Sequence, residues 1–185
     1  MMRAILHVAA WMIFAIVLLD IATTTTLAHC DYTHGSVCPM GFTFNENLES
    51  CYNFVISEKT TWYNALTFCN SMDANLVAIE TAEEYNFLRN EIKGRGIIGD
   101  GGRTGNSFFT GGNFLNGDWQ WAGGPLWKTK SMLYAPWSTT RVNGDPEPDN
   151  LAVEKCAILY SGDQFRLHNW ICDLLFHYIC EIKLK

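Results

Sequence analysis

The chain has 185 residues and a formal net charge of −6. This acidic balance argues against nucleic acid and against an anionic membrane surface as partners. Once the amino-terminal segment is set aside, the remaining length fits one domain of typical size.

The first 28 residues have the pattern of a secretory signal peptide. Arg3 precedes an apolar run from about Ile5 to Leu19, and Thr26-Leu27-Ala28 has the small-x-small pattern of a cleavage site. A membrane anchor is the alternative, but a spanning helix needs about 20 apolar residues, and this run is shorter and contains His7. The sequence therefore predicts a signal peptide over residues 1–28, a secreted extracellular protein, and no membrane insertion.

All the cysteines follow this segment, at positions 30, 38, 51, 69, 156, 172 and 180. In an oxidising compartment they favour a disulfide framework over a zinc site, and no C-x-x-C pair indicates zinc or redox chemistry. Because their number is odd, at least one thiol is left over. Cys30 lies in a short segment, residues 29–37, ahead of the domain that we place at 38–182. A disulfide-linked homodimer through Cys30 is one outcome, and a capped or free thiol is the other.

Helices and short strands are predicted in the first half of the domain. Tyr52 to Ile56 is aromatic and β-branched, which is typical of a strand. The segment TTWYNALTFCNSM, residues 60–72, predicts a helix with Thr60 or Thr61 as N-cap. One helical stripe of it holds Trp62, Ala65, Leu66, Cys69 and Met72. Ala74 to Ile79 predicts a second strand, and the capping box Thr81-Ala82-Glu83-Glu84 begins a second helix.

A long irregular region is predicted from Gly94 to about Lys155, rich in Gly, Asn, Asp, Trp and Pro. It begins with GRGIIG, which spells G-x-G-x-x-G, but a helix precedes it where a phosphate-binding loop needs a strand, so we do not expect nucleotide binding. Two β-like runs follow the region, at Cys156 to Tyr160 and at Phe176 to Ile182. Two helices, a long loop region and terminal strands predict an α+β fold.

The segment GDPEPDN, Gly144 to Asn150, alternates acids with prolines inside this region. Proline fixes φ, lacks an N–H and disfavours helical geometry at the preceding residue, so the segment is predicted to be a stiff loop that presents carboxylates. Carboxylates held this close repel one another unless solvent or a cation lies between them. Their hard oxygens suit calcium, although an EF-hand is excluded because Pro148 would stand where the sharp turn needs glycine.

No catalytic arrangement stands out among the remaining residues. The histidines after the predicted signal peptide, at positions 29, 34, 168 and 177, lie in no H-E-x-x-H context, and no serine lies in a G-x-S-x-G context. We therefore expect a binding protein and not an enzyme.

Several stretches occur together in one order: CPMGFTFNENLESCYNF, TWYNALTFC, ANLVAIET, the W-x-W of Trp119 to Trp121, Trp137 ahead of PEPDN, EKCAILY and the terminal YICE. Together they resemble the C-type lectin domain family, in its long form, over Cys38 to Glu181. The resemblance implies two helices, small antiparallel sheets and a long irregular loop region, stabilised by disulfides. It also implies the pairs Cys38–Cys51, Cys69–Cys180 and Cys156–Cys172.

In that family a calcium ion holds the sugar, and the resemblance implies its ligands here. Glu147-Pro148-Asp149 replaces the family's E-P-N or Q-P-D tripeptide, with an implied cis Glu147–Pro148 bond. Glu154 matches a glutamate two residues before a core cysteine. The family's auxiliary calcium site would need an acid where Lys155 stands, so we do not expect that site.

The family's W-N-D motif is altered in this chain, where Leu167, His168 and Asn169 occupy its positions. The predicted calcium ligands and sugar-binding residues are therefore Glu147, Asp149, Glu154 and Asn169. His168, a poor calcium ligand, is a further candidate for the metal alone.

The resemblance implies a secreted lectin that binds glycans through calcium, with recognition of microbial surfaces in innate immunity as its use. Glu147 with Asp149 offers two hydrogen-bond acceptors and no donor, and glutamate at the first position favours mannose-type over galactose-type sugars. The alternative, favoured by the altered triplet at 167–169, is a calcium-independent module of the same fold that binds a protein or a mineral surface.

Overall fold

The computed structural model describes residues 37–99, 105–123, 128–139 and 146–184. The predictions for the signal peptide and for Cys30 lie outside these residues. Within them, no helix is both long and apolar enough to cross a membrane.

The described residues form nine strands and two α-helices. In chain order these are β1 (Thr43–Asn45), β2 (Ser50–Thr60), α1 (Trp62–Ser71), β3 (Asn75–Leu76), α2 (Ala82–Gly94), β4 (Phe108–Leu115), β5 (Asp118–Ala122), β6 (Thr129–Ser131), β7 (Cys156–Tyr160), β8 (Arg166–Trp170) and β9 (Phe176–Lys183).

The strands join in the order β1-β2-β9-β4-β5-β6, while β3 pairs with β9 and β7 lies between β4 and β8. Most neighbours are antiparallel, but β4 and β9 run parallel, with Phe108 opposite His177. A parallel pair needs a connection of a dozen or more residues, which the chain between Leu115 and Phe176 provides. The predicted α+β fold of the C-type lectin type is confirmed, with a mixed sheet in place of purely antiparallel ones.

Helix α1 covers the core with the stripe that its sequence predicts. Trp62, Ala65, Leu66 and Cys69 are all buried, and the Thr61 hydroxyl accepts a hydrogen bond from the backbone N–H of residue 64. The indole N–H of Trp62 donates to the carbonyl of residue 110 at 2.8 Å, so this large side chain is buried without an unsatisfied donor.

The region predicted to be irregular contains three strands, β4 to β6. Asn116 and Gly117 form the turn between β4 and β5, and both have positive φ. An Asn-Gly pair is a strong hairpin signal because both residues tolerate that conformation, so composition alone gave the wrong expectation here. Strand β8 is also absent from the sequence-based prediction.

Three disulfide bonds join Cys38 to Cys51, Cys69 to Cys180 and Cys156 to Cys172. These are the pairs that the resemblance implies. The third ties the first residue of β7 to the chain just after β8, and so it closes the base of the hairpin that carries the candidate site.

Thr81 caps helix α2, and we expect its loss to be measurable. Its hydroxyl accepts from the backbone N–H of Glu84 at 3.1 Å, while the Glu84 carboxylate accepts from the backbone N–H of Glu80 at 2.8 Å. Thr81→Ala should lower the free energy of unfolding by about 1 kcal/mol, because one N–H at the helix start loses its partner. In urea denaturation, Thr81→Ser should remain near the wild type, and an equal loss in both variants would contradict the capping role.

Candidate functional site

Strand β8 is an edge strand whose outer side is covered by the acidic loop. Its partner on the inner side is β7, with Ile158 opposite His168 and Ala157 opposite Asn169. On the outer side the backbone N–H of Leu167 donates to the carbonyl of Pro136 at 3.3 Å, and the N–H of Asn169 donates to Glu147 Oε2 at 3.2 Å. Pro136 and the acidic loop, through Glu147, therefore each satisfy a backbone donor that an edge strand would otherwise expose.

Glu147 has both carboxylate oxygens engaged within the protein. Oε1 lies 2.7 Å from His168 Nδ1, and Oε2 accepts from the backbone N–H of Asn169. The Glu147–Pro148 bond is cis, as the resemblance implies, and the N–H of Glu147 donates to the carbonyl of Ser138 at 3.2 Å. The side chain of Glu147 is only 7% exposed. Glu147 thus fixes the loop to β8.

The Asn169 amide holds the rest of the loop. Its Oδ1 accepts from the backbone N–H of Asp149 at 2.9 Å, and its Nδ2 donates to the carbonyls of Asp149 and Glu154. Every polar atom of this side chain is therefore directed at the loop backbone. In this structure Asn169 positions the tripeptide, and its oxygen is not turned outwards.

Asp149 carries the carboxylate that remains available for a ligand. Its contacts among the described residues run through its backbone, and its half-buried side chain makes no hydrogen bond or ion pair there. Asn150 follows with φ of 39°, and its carbonyl accepts from the N–H groups of Val153 and Glu154 at 3.1 Å each. This turn brings the backbone of Glu154 back to Asn169, whose Nδ2 donates to the Glu154 carbonyl at 2.8 Å.

The second nitrogen of His168 contacts a carboxylate that sequence reasoning did not identify. Nε2 lies 3.1 Å from Asp163 Oδ2, and Asp163 also accepts from the Ser138 hydroxyl and from Arg166 Nη1 at 3.3 Å. Asp163 ends the short 3₁₀ turn between β7 and β8, so the hairpin returns His168 to it. The sequence offers only a weak signal for this contact: an aspartate lies five residues before the histidine, a spacing that a hairpin can bring together.

The contact between His168 and the carboxylates shifts the pKa values of His168 and Asp163. Burial by itself lowers the pKa of His168, but hydrogen bonds and negative charge from Glu147 and Asp163 outweigh it and raise the pKa overall. Burial likewise raises the pKa of Asp163, while the bonds from Ser138 and His168 and the charge of Arg166 lower it overall. The contacts with the two carboxylates therefore favour the protonated form of the His168 ring.

The donor set does not fit the calcium ion that the resemblance implies. Calcium takes six to eight oxygen ligands. Here Glu147 is paired with His168, and Asn169 Oδ1 accepts from a backbone N–H. Among the described residues, no group of three or more His, Cys, Asp or Glu side chains is arranged to hold a metal ion. The structure brings Glu147, Asp149 and Asn169 together as predicted, but their assignment as calcium ligands stays a prediction.

The chain matches the family model described as the lectin C-type domain over residues 58–182. It is 34% identical over 145 residues to the CD209 antigen-like protein D of Mus musculus, covering 78% of this chain and 52% of that protein. The chain thus spans about half the length of this relative.

Two solved structures have a fold similar to that of this chain. The mouse scavenger receptor C-type lectin carbohydrate-recognition domain matches with a TM-score of 0.58 and 25% identity, covering 80% of this chain and 98% of that one. A calcium-independent type II antifreeze protein matches with a TM-score of 0.57 and 19% identity, covering 79% of this chain and 94% of that one. Family model, relatives and fold agree, and the chain belongs to the C-type lectin domain family.

Proposed function

We propose that this protein is a secreted glycan-binding lectin that contacts sugar hydroxyls at the rim formed by Glu147, Asp149 and Glu154. The observation that carries the proposal is the carboxylate of Asp149, which makes no hydrogen bond or ion pair with the described residues and lies on a loop held by Asn169. A rigid acceptor is what a sugar site needs, because little conformational freedom is then lost on binding.

The ligand class follows from hydrogen-bond polarity and from the relatives. The rim presents acceptors, so hydroxyls of the sugar must donate to it. Mannose-type sugars are the first choice over galactose-type ones, and recognition of microbial glycans in innate immunity is the proposed use. The mouse structure that is a carbohydrate-recognition domain supports this class.

Retention on immobilised mannan and on galactose resin tests the proposal. Asp149→Ala should reduce retention on mannan roughly tenfold or more, the effect of losing one charge-assisted hydrogen bond. Glu46→Ala, which removes an exposed carboxylate in the turn after β1, is the matched control and should bind like the wild type. Equal retention of both variants and the wild type would reject the rim as the sugar site.

The same columns run with calcium and with chelator test the predicted calcium requirement. Loss of wild-type retention in chelator would support the ion as a partner in sugar binding. Retention that persists in chelator would show direct binding by the protein.

A second candidate function is a calcium-independent module that binds a protein or a mineral surface. The contact of Glu147 with His168 favours it, because both oxygens of that carboxylate are already engaged within the domain. A fold neighbour described as calcium-independent supports this candidate at the level of the fold. Absence of retention on either resin, with and without calcium, would favour it over the lectin.

Gel filtration with and without reductant tests the predicted homodimer through Cys30. A weak single site gains from several copies, so a dimer would raise avidity for a multivalent surface.

A further inference from the structure

His168 is the residue whose environment the lectin proposal leaves unexplained. It is fully buried in an edge strand, and its two ring nitrogens face two different carboxylates. Both ring nitrogens are therefore engaged, and the ring links the loop residue Glu147 to Asp163 at the end of the turn before β8.

Each carboxylate also has other partners in the domain. Asp163 accepts from the Ser138 hydroxyl and from Arg166 in addition to its contact with the ring. Glu147 accepts from the backbone N–H of Asn169 through its other oxygen. The carboxylate oxygens that a cation would need are therefore already engaged within the protein.

The imidazole ring occupies the place beside Glu147. His168 Nδ1 lies 2.7 Å from Glu147, His168 Nε2 lies 3.1 Å from Asp163, and Arg166 lies 3.3 Å from Asp163. A divalent cation at Glu147 Oε1 would have to compete with the ring of His168, which is fully buried in β8. Another oxygen that the calcium prediction uses, Asn169 Oδ1, accepts from the N–H of Asp149.

We infer that His168, through the contacts of its two ring nitrogens with Glu147 and Asp163, takes the place of a metal ion between these carboxylates and holds the acidic loop in its binding shape without calcium. The inference rests on the proposed function only for the position of the binding rim. A side chain of the protein then fixes the conformation of the loop. That conformation therefore does not depend on the calcium concentration outside the cell.

Calcium uptake and calcium-dependent melting test the inference, and neither requires a sugar. Isothermal titration of calcium chloride into the domain should show no binding at millimolar concentration, and its melting temperature should be the same in 10 mM calcium and in chelator. Wild-type binding with a dissociation constant below 1 mM, together with a rise in melting temperature, would overturn the inference.

Two variants show whether His168 itself excludes the ion. His168→Asn combined with Asn169→Asp removes the imidazole ring, frees an oxygen of the Glu147 carboxylate and adds a carboxylate at position 169. This double variant should bind calcium in the range of extracellular sites and melt about 3–6 °C higher in 10 mM calcium than in chelator. A double variant that folds and does not bind calcium would contradict the exclusion.

His168→Gln covers the case in which the double variant does not fold. It should melt lower than the wild type in calcium and in chelator alike, because one of the two carboxylates loses its partner. His177→Gln is the matched control, since His177 is also buried but its Nδ1 contacts only the carbonyl of Glu58. An equal fall in both glutamine variants would overturn the bridging role of His168. Failure of glycan binding would leave all these readouts unchanged, so the two proposals fail separately.

Discussion

Replacing Cys69 and Cys180 together by alanine is expected to lower the free energy of unfolding by about 4–5 kcal/mol, more than removal of either other disulfide. The bond joins α1 to β9 across a sequence separation of 111 residues. In the chain-entropy model, a cross-link that closes a longer loop removes more conformations from the unfolded chain. Both cysteines are fully buried, so the alanines also leave unfilled space in the core.

The pair Cys38 and Cys51 provides the matched control, because it closes a separation of only 13 residues. Its replacement by alanine should cost about 3 kcal/mol in the same model. Guanidinium denaturation of the two double variants, followed by tryptophan fluorescence, gives both values. If the Cys69 and Cys180 variant loses no more stability than the control, loop length is not what sets the contribution of these bonds.

A different disulfide helps to hold the acidic loop in place. The chain between α2 and β7 forms strands β4 to β6, but the described part of the acidic loop has no strand of its own. The loop is held instead by side chains that reach it from β8, and β8 is held by β7 and by the bond from Cys156 to Cys172. The disulfide therefore stabilises the hairpin of β7 and β8, and side chains of this hairpin hold the loop that carries Asp149.

The helices were predictable because local signals set them. Trp62 and Cys69 lie on one helical stripe, and Thr81 begins α2 as its capping residue, so no distant contact was needed to place either helix. The hairpin of β4 and β5 also had a local signal, the turn residues Asn116 and Gly117. It was missed because the surrounding sequence has a composition typical of loops.

The contacts within the site were not predictable in the same way. The sequence identified Glu147, Asp149 and Asn169, yet the direction of the Asn169 amide depends on the backbone of the loop that it meets. The pairing of His168 with Asp163 depends on the turn that ends β7. Such contacts arise from tertiary geometry, and a pattern of residue types does not encode them.

A second buried pair of carboxylates, far from the rim in sequence, should make the stability of the domain depend on pH. Glu84 and Glu181 are both buried. Among the described residues, the only ammonium group near both is that of Lys183, which lies 4.0 Å from Glu84 and 3.5 Å from Glu181. Glu84 accepts from the Tyr52 hydroxyl at 2.7 Å, and Glu181 accepts from the Ser50 hydroxyl at 2.9 Å.

Burial, followed by the negative charge of Glu181, raises the pKa of Glu84 from 4.5 to about 7. A carboxyl group whose pKa is raised on folding binds its proton more tightly in the folded state. Its contribution to stability is therefore complete below pH 4.5 and is lost as the pH rises through 7. Over that range the free energy of unfolding should fall by roughly 2–3 kcal/mol on account of this group.

The variant Glu84→Gln isolates the effect, because glutamine resembles the protonated acid and does not titrate. Urea denaturation at pH 5 and at pH 8 should show a stability difference between wild type and variant that shifts by about 2–3 kcal/mol between the two pH values. The histidines titrate in the same interval, but they do so in both proteins and cancel in the difference. Glu83→Gln, an exposed neighbour in the same helical turn, should show no such shift. If the Glu84→Gln difference is the same at both pH values, the buried carboxylate pair is not a proton-binding site of the folded domain.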